Sequence, residues 1–162
     1  MKIIFTLIIA LFMTGCATNK GLVSFDKVDE NDLRLHQVDK DPVEIAILRD
    51  GPTRETVLPV LISWFNENNY KVSIIEAMSD SETEDNVFKY RAWWSWDMAL
   101  YMREAEMSLV SDGKTLGSLQ FDALKYGAFG KFGNGEQRLR ILLDALFGKI
   151  TKEEANKVLG NV

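Results

Sequence analysis

The chain has 162 residues, of which 46% are hydrophobic and 27% are charged, and its formal net charge is −5. This length supports one domain with its own core, and the apolar fraction excludes a wholly disordered chain. The acidic balance gives no electrostatic basis for binding nucleic acid, and a single cysteine excludes an internal disulfide scaffold.

The first segment, residues 1–15, has the pattern of a secretory signal peptide. Lys2 is followed by a short apolar run and then by small residues. A helix over these residues reaches about 22 Å, which is less than the roughly 30 Å of a bilayer core. The sequence therefore predicts export of the chain rather than a membrane span.

Cys16 follows this segment directly. The four residues that end at Cys16, Met-Thr-Gly-Cys, resemble the lipobox of bacterial lipoproteins, in which a diacylglyceryl group is joined to the cysteine thiol and the peptide is cut before it. The resemblance implies a membrane anchor at Cys16, because several acyl chains hold a protein essentially irreversibly. In proteins of this kind an aspartate after the cysteine favours retention in the inner membrane. The residue here is Ala17, so the resemblance implies placement on the periplasmic face of the outer membrane.

Residues 16–42 are polar, with scattered apolar residues at no clear period. We expect the lipidated cysteine and a flexible tether here, which would span roughly 28 Å as a coil. A single α/β domain is expected over 43–148, followed by a short helical extension over 149–162.

The domain begins with a predicted βαβ unit. A β-branched strand over 43–48 precedes apolar residues at helical spacing over 57–65, and a second strand follows over 72–75. Such a unit pairs its two strands in parallel. Pro59 is tolerated in a first helical turn, which fits a cap at Thr56, whereas a start at Thr53 implies a kink.

An alternating pattern begins after residue 86. The even-numbered residues of this stretch are expected to face the core, namely Phe88, Tyr90, Ala92, Trp94 and Trp96. The odd-numbered residues, which include Trp93, Ser95 and Asp97, are expected to face solvent. Residues 98–110 suit either a helix or a strand, and the hairpin turn predicted at Asp112-Gly113 favours the strand.

The C-terminal part returns to helical spacing. Leucines at 139, 142, 143 and 146 form one apolar stripe, and Gly148 is a typical helix end. Thr151 and Glu154 have the spacing of a capping box that opens a last short helix. The predicted fold is therefore α/β (α+β), with a βαβ unit, an antiparallel meander and a C-terminal amphipathic helix on one mixed sheet.

A resemblance to a known family lies in residues 92–102, AWWSWDMALYM. This run is similar to the signature of a family of small lipoproteins from Gram-negative bacteria, which read Trp-Ser-Trp-Asp, a hydrophobe, then Ala-Leu-Tyr-Met. The resemblance extends over about 43–148 and includes the strand at Tyr70-Lys-Val72. It implies an extended chain through 98–110, and it implies no particular activity.

Motifs for catalysis or cofactor binding are missing from the sequence. The chain has no G-x-S-x-G, H-E-x-x-H or C-x-x-C, and its one histidine, His36, lies in the expected tether. The glycine-aromatic segment 126–135 has neither a Walker nor a dinucleotide pattern, so no nucleotide and no cofactor are expected. The acidic segment 79–86 fails the EF-hand pattern, so no metal site is expected.

Exposed aromatic residues give the leading functional hypothesis. The candidate binding surface comprises Trp93, Ser95, Asp97, Phe129 and Phe132. We expect a non-enzymatic module that binds an envelope protein or peptidoglycan. One alternative is a glycan-directed enzyme that uses Asp97 with Glu104 or Glu106, and another is a subunit of an oligomeric outer-membrane assembly that pairs through a sheet edge.

Overall fold

The structure is a computed structural model, and it describes residues 20–34, 42–77, 79–80 and 84–162. The signal segment, Cys16 and His36 lie outside the described residues. The strands are β1 (Leu22–Asp26), β2 (Glu44–Leu48), β3 (Lys71–Ile75), β4 (Asn86–Asp97), β5 (Ala99–Ser111) and β6 (Lys114–Asp122). The helices are α1 (Glu30–Arg34), α2 (Val57–Glu67), α3 (Gly127–Gly130), α4 (Gly135–Leu146) and α5 (Lys152–Leu159), with a 3₁₀ turn at Ala123–Tyr126.

The strands form one mixed sheet in the order β1-β6-β5-β4-β2-β3. β2 pairs in parallel with both β3 and β4, and the other pairs are antiparallel. The five-residue strands β1 and β3 form the two edges. This topology confirms the predicted α/β class, with the βαβ unit β2-α2-β3 and the meander β4-β5-β6 in one sheet.

The start of α2 agrees with the position of its proline. The helix begins at Val57, so Pro59 lies in the first turn, where a missing N–H costs no helical hydrogen bond. Thr56 precedes the helix, but its side chain makes no capping hydrogen bond. Thr53 is buried instead, and its hydroxyl accepts a hydrogen bond from the backbone N–H of Ala92 at 2.9 Å, which ties the loop to β4.

Both turns of the meander are tight. Asp112 and Gly113 join β5 to β6 with φ of 48° and 74°, the positive values that a two-residue hairpin turn needs. Met98 joins β4 to β5 with φ of 61°. Residues 99–110 are extended as predicted, because both ends of β5 are held in hairpins.

The helices pack on one face of the sheet. Phe65 of α2 lies near the centre of this core, with its ring 5.0 Å from that of Phe88 and 5.4 Å from that of Phe147. The predicted leucine stripe of α4 is buried against the same cluster. Among the described helices, none packs on the opposite face of β4, β5 and β6, and this face carries their polar side chains.

The expected tether is wrong for part of its length. Leu22, Val28 and Leu33 are 0–3% exposed and belong to the core. The backbone N–H of Val28 donates to the carbonyl of Leu146 at 2.8 Å, and β1 pairs with β6. The strand escaped detection because it has five residues and an irregular register between Leu22 and Ser24, which removes the alternation.

The C-terminal helix is part of the domain rather than an extension from it. Ala155 and Leu159 are fully buried in the main core. The capping box of Thr151 and Glu154 is present as predicted. Asn156 accepts hydrogen bonds from the backbone N–H of Leu22 at 3.1 Å and from the Tyr126 hydroxyl at 3.0 Å, so α5 is tied to β1 and to the 3₁₀ turn.

One core assignment in β4 is wrong. Phe88, Tyr90 and Ala92 are buried and Trp94 is half-buried, but Trp96 is 73% exposed. The outer part of the β4–β5 hairpin extends past the helices that cover the core. Alternation determines the side of the sheet on which a residue lies, but a helix must still cover that side.

Candidate functional site

Trp93 lies on the uncovered face of the sheet. It is paired with Glu104 of β5 and is 38% exposed. The indole lines a recess of about 180 Å³ together with Val23, Glu104, Ala105, Glu106, Gln120, Phe121 and Asp122. Carboxylate and amide groups, which accept hydrogen bonds, therefore surround an accessible aromatic ring.

A larger groove of about 480 Å³ continues along the same face and shares Glu106 and Gln120 with this recess. Its other polar residues include Ser24, Lys89, Arg91, Ser108 and Ser118. Arg91 Nη2 lies 2.7 Å from Asp50 Oδ1 and its Nε lies 3.2 Å from Oδ2. Burial alone raises the pKa of Asp50, but hydrogen bonds from Arg91 and Thr53 hold it below its ordinary value, so the carboxylate is ionised at neutral pH.

Asp97 and Lys131 join the β4–β5 turn to the segment after α3. The Lys131 ammonium donates a hydrogen bond to the Asp97 carboxylate. This bond raises the pKa of Lys131, whose side chain is only 14% exposed, whereas that of Asp97 is 54% exposed. Asp97 is therefore an ion-paired residue of the turn, and it does not line the recess around Trp93.

The two phenylalanines of the candidate surface lie near this ion pair but differ in exposure. Phe132 packs edge-on against Tyr101 at 5.4 Å, and Lys131 Nζ lies 5.0 Å from the centre of its ring. Phe129 is 89% exposed. The structure thus brings Asp97, Phe129 and Phe132 to the end of the hairpin, while Trp93 lies on the open face and Ser95 is half-buried between the two.

Arg138 fixes the position of α3 from the core side. Its guanidinium is fully buried and donates to the carbonyls of Gly130 and Lys131, each at 2.6 Å. Burial lowers the pKa of Arg138 below its ordinary value. Its guanidinium carbon also lies 5.6 Å from the centre of the Phe121 ring. Arg138 therefore satisfies carbonyls at the end of α3 and holds the Lys131 segment in place.

Trp94 connects the hairpin to the helices. Its indole lies against Gly135, where an added Cβ would come within 2.4 Å of the ring. The Arg54 guanidinium carbon lies 5.0 Å from the ring centre on the α2 side. Beyond Trp94 the hairpin continues into residues 95–100, which we call the hairpin tip; Trp96, Met98 and Leu100 are exposed there, and Asp97 is tied to Lys131.

The carboxylates of the proposed enzyme alternative are not brought together. Glu104 is opposite Trp93, and Asp97 lies four residues further along β4, roughly 13 Å at 3.3 Å per residue. Glu106, which is opposite Arg91, lies two residues further from Asp97 than Glu104 does. The carboxylate pairs of glycosidases lie about 5–9.5 Å apart. The register therefore does not place Asp97 for paired-carboxylate chemistry with either glutamate.

The described ranges contain no group of three or more His, Cys, Asp and Glu side chains placed to hold a metal ion. In that part of the chain, no helix is both long and apolar enough to cross a membrane. Comparison with models of protein families, with curated proteins and with solved structures gives no match for this chain.

The hairpin tip contains exposed residues that the sequence did not assign to a surface. Trp96, Met98 and Leu100 are 73%, 87% and 50% exposed. The alternation of β4 predicts Trp96 in the core, and the other two lie in a segment whose pattern suits either a helix or a strand. The only signal for a surface was the density of large apolar residues around a predicted turn, which does not distinguish a core hairpin from a projecting one. Arg138 gave no signal at all, because a lone arginine on a helix is usually solvated.

Proposed function

We propose that this chain is a lipoprotein of the Gram-negative envelope, anchored through Cys16 to the periplasmic face of the outer membrane. The lipobox-like run before Cys16 and the alanine at position 17 support this placement. We also propose that the chain belongs to the lipoprotein family whose signature residues 92–102 resemble.

The folded domain is, in this proposal, a non-enzymatic module that binds peptidoglycan. The observation that carries it is the uncovered sheet face, where Trp93 lies beside Glu104, Glu106 and Gln120 in an open recess. The C–H face of a sugar ring packs on an indole, and sugar hydroxyls donate to carboxylate and amide oxygens. The adjoining groove crosses the sheet from Ser24 of β1 to Leu48 of β2. This extent suits an extended polymer better than a small molecule.

The anchor is tested by growing a producing strain with labelled palmitate. We expect label in the mature chain, and we expect Cys16→Ser to lose the label and to leave the membrane fraction. An unlabelled chain that still sediments with membranes would contradict the anchoring proposal.

Binding is tested by sedimentation of the detergent-solubilised chain with isolated peptidoglycan sacculi. Trp93→Ala is expected to weaken binding by about tenfold or more, because truncating a central aromatic contact commonly costs 1–2 kcal/mol or more. Trp96→Ala is the matched control, since it removes another exposed tryptophan away from the recess, and it should bind as the unmodified chain does. Equal binding by all three forms would exclude Trp93 from the contact.

The same incubation distinguishes binding from catalysis. A binding module releases no soluble fragments from sacculi. Release that Asp97→Asn abolishes would establish the enzyme alternative instead. Photo-crosslinking in cells from position 93 tests a protein partner, because reproducible capture of one envelope protein in place of peptidoglycan would overturn the choice of ligand.

A further inference from the structure

The largest exposed apolar side chains are concentrated at one end of the sheet. In the described residues the three most exposed are Phe129, Met98 and Trp96, at 89%, 87% and 73%. Met98 is the turn of the β4–β5 hairpin, and Phe129 lies two residues before Lys131, which is paired with Asp97 at that turn. Leu100 adds a fourth exposed apolar side chain on the returning strand.

The first strand, β1, begins at the side of the sheet that faces this same end. Leu22 pairs with Phe121, which pairs with Ala105, which in turn pairs with Ala92, so these residues form one row across the sheet. β1 runs away from the hairpin tip, because it is antiparallel to β6, and β6 runs toward that tip. The chain therefore enters β1, through Lys20 and Gly21, from the side on which the tip projects.

The covalent distance from the anchor to the domain is short. Cys16 lies six residues before Leu22, and six residues span at most about 22 Å in any conformation. Asp97 lies five residues beyond Ala92 along β4, which is about 16 Å past the same row. The connection from Leu22 to Cys16 is therefore long enough for the anchor to lie level with the hairpin tip. It is too short for the anchor to lie far beyond the tip.

We infer that the hairpin tip and Phe129 form a membrane-contact surface, in which Trp96, Met98, Leu100 and Phe129 enter the interfacial region of the phospholipid leaflet that holds the Cys16 lipid. This inference rests on the proposed lipidation of Cys16. The occupant is phospholipid because the chain enters β1 from the side of the tip and only six residues separate Leu22 from the anchor.

The chemistry of the surface suits that environment. Tryptophan prefers the headgroup level of a membrane, and methionine, leucine and phenylalanine side chains partition into the acyl boundary. Asp97, the carboxylate at the turn, is paired with Lys131, so the tip brings no unpaired charge of its own to the interface. Arg103 and Glu104 form a second ion pair just behind the tip, with Nε and Oε1 2.9 Å apart.

The backbone that carries this surface is tied to the rest of the domain. Arg138 secures the end of α3 through two backbone carbonyls, and Phe132 packs against Tyr101. A preformed apolar surface loses little conformational entropy when it enters the interface. With the tip directed at the bilayer, the uncovered face with Trp93 stands roughly along the membrane normal and stays open to the periplasm.

The experiment uses the lipidated chain reconstituted into vesicles of phosphatidylethanolamine and phosphatidylglycerol. Lipidation consumes the single native thiol, so Met98→Cys adds one site for an environment-sensitive fluorophore. Thr115→Cys, exposed at the opposite end of the sheet, is the matched control. We expect acyl-chain nitroxide lipids to quench the label at 98 at least about threefold more strongly than the label at 115, because only the former enters the outer 5–10 Å of the bilayer.

A second variant separates the apolar side chains from simple proximity to the membrane. Trp96→Ser combined with Phe129→Ser in the Met98→Cys chain should lower quenching toward the level at 115, whereas Ile74→Ser, an exposed apolar residue on the β3 edge, should leave it unchanged. Equal quenching at 98 and 115 in chains that float with the vesicles overturns the inference and leaves the anchoring proposal intact. A chain that does not float, and whose Cys16 accepts the fluorophore, overturns the anchor and the membrane-contact surface together.

Discussion

The covered core and the hairpin tip use tryptophan in opposite ways. Trp64 of α2 is 2% exposed, its Nε1–H donates to Asp144 Oδ1 at 2.8 Å, and its ring packs against Tyr70 and Phe147. Trp96 of the tip is 73% exposed. Both residues lie among other large apolar side chains in the sequence, and they differ in whether a helix or strand packs over them.

This difference separates stability from function in the two regions. Side chains under the helices contribute buried area and satisfied hydrogen bonds, and their loss destabilises the fold. The most exposed side chains of the tip, Trp96 and Met98, bury little area, so their loss is expected to affect contacts with other molecules. Four predictions test this division.

The largest effect is expected at Phe65, which is fully buried among the rings of Trp64, Phe88 and Phe147. Phe65→Ala should lower the free energy of unfolding by about 3–5 kcal/mol, because it removes apolar contacts and leaves a cavity. Trp96→Ala should change it by no more than about 0.5 kcal/mol. Urea denaturation followed by circular dichroism measures both, and comparable losses would mean that the tip belongs to the core.

Arg138 connects the two regions, and its loss is expected to rank second. Arg138→Met should cost about 2–3 kcal/mol of unfolding free energy, since it leaves the carbonyls of Gly130 and Lys131 without their donors. Hydrogen exchange should also become faster in 127–132. Arg140→Met, on the exposed side of the same helix, is the control and should leave exchange in that segment unchanged.

The hydrogen bond of Trp64 gives a smaller test within the covered region. Trp64→Phe keeps most of the ring but removes the donor to Asp144, so we expect a loss of about 1–2 kcal/mol. Trp93→Phe, the same change on the uncovered face, should be close to neutral in thermal unfolding. Similar shifts in melting temperature for both variants would refute the assignment of Trp93 to an open surface.

The smallest effect is a dependence on pH at the contact between α2 and α4. Hydrogen bonds from Arg140 and Ser63 lower the pKa of Glu67 to about 2 from an ordinary value of 4.5. A lowered folded-state pKa stabilises the fold above pH 4.5, and this contribution disappears as the pH falls toward 2. The difference in urea midpoint between the unmodified chain and Glu67→Gln should therefore shrink over that interval, and a difference that stays constant with pH would argue against the ion pair.

Much of the fold could be predicted because its signals are local. The alternation at Phe88, Tyr90 and Ala92, the turn at Asp112-Gly113 and the capping box at Thr151 each depend on a few neighbouring residues. The leucine stripe of α4 also shows its buried face without reference to a partner. Each of these predictions is confirmed by the structure.

The errors have a different physical origin. Residues 22–34 looked like a tether because β1 depends on the edge of β6, nearly a hundred residues away, for its hydrogen bonds. Trp96 looked buried because its parity is that of the core. The ion pair of Asp97 with Lys131 joins positions 34 residues apart, so no local pattern indicated it.

The sequence alone determined the secondary-structure types, the mixed sheet and the expectation of a lipid at Cys16, because periodicity, turn residues and a lipobox-like run are short-range patterns. Only the tertiary structure decided which apolar side chains are covered, where the N-terminal segment joins the sheet and which end of the domain carries the exposed tip. Those properties depend on the placement of helices over particular strands, and coverage is a relation between distant segments of the chain that no single segment encodes.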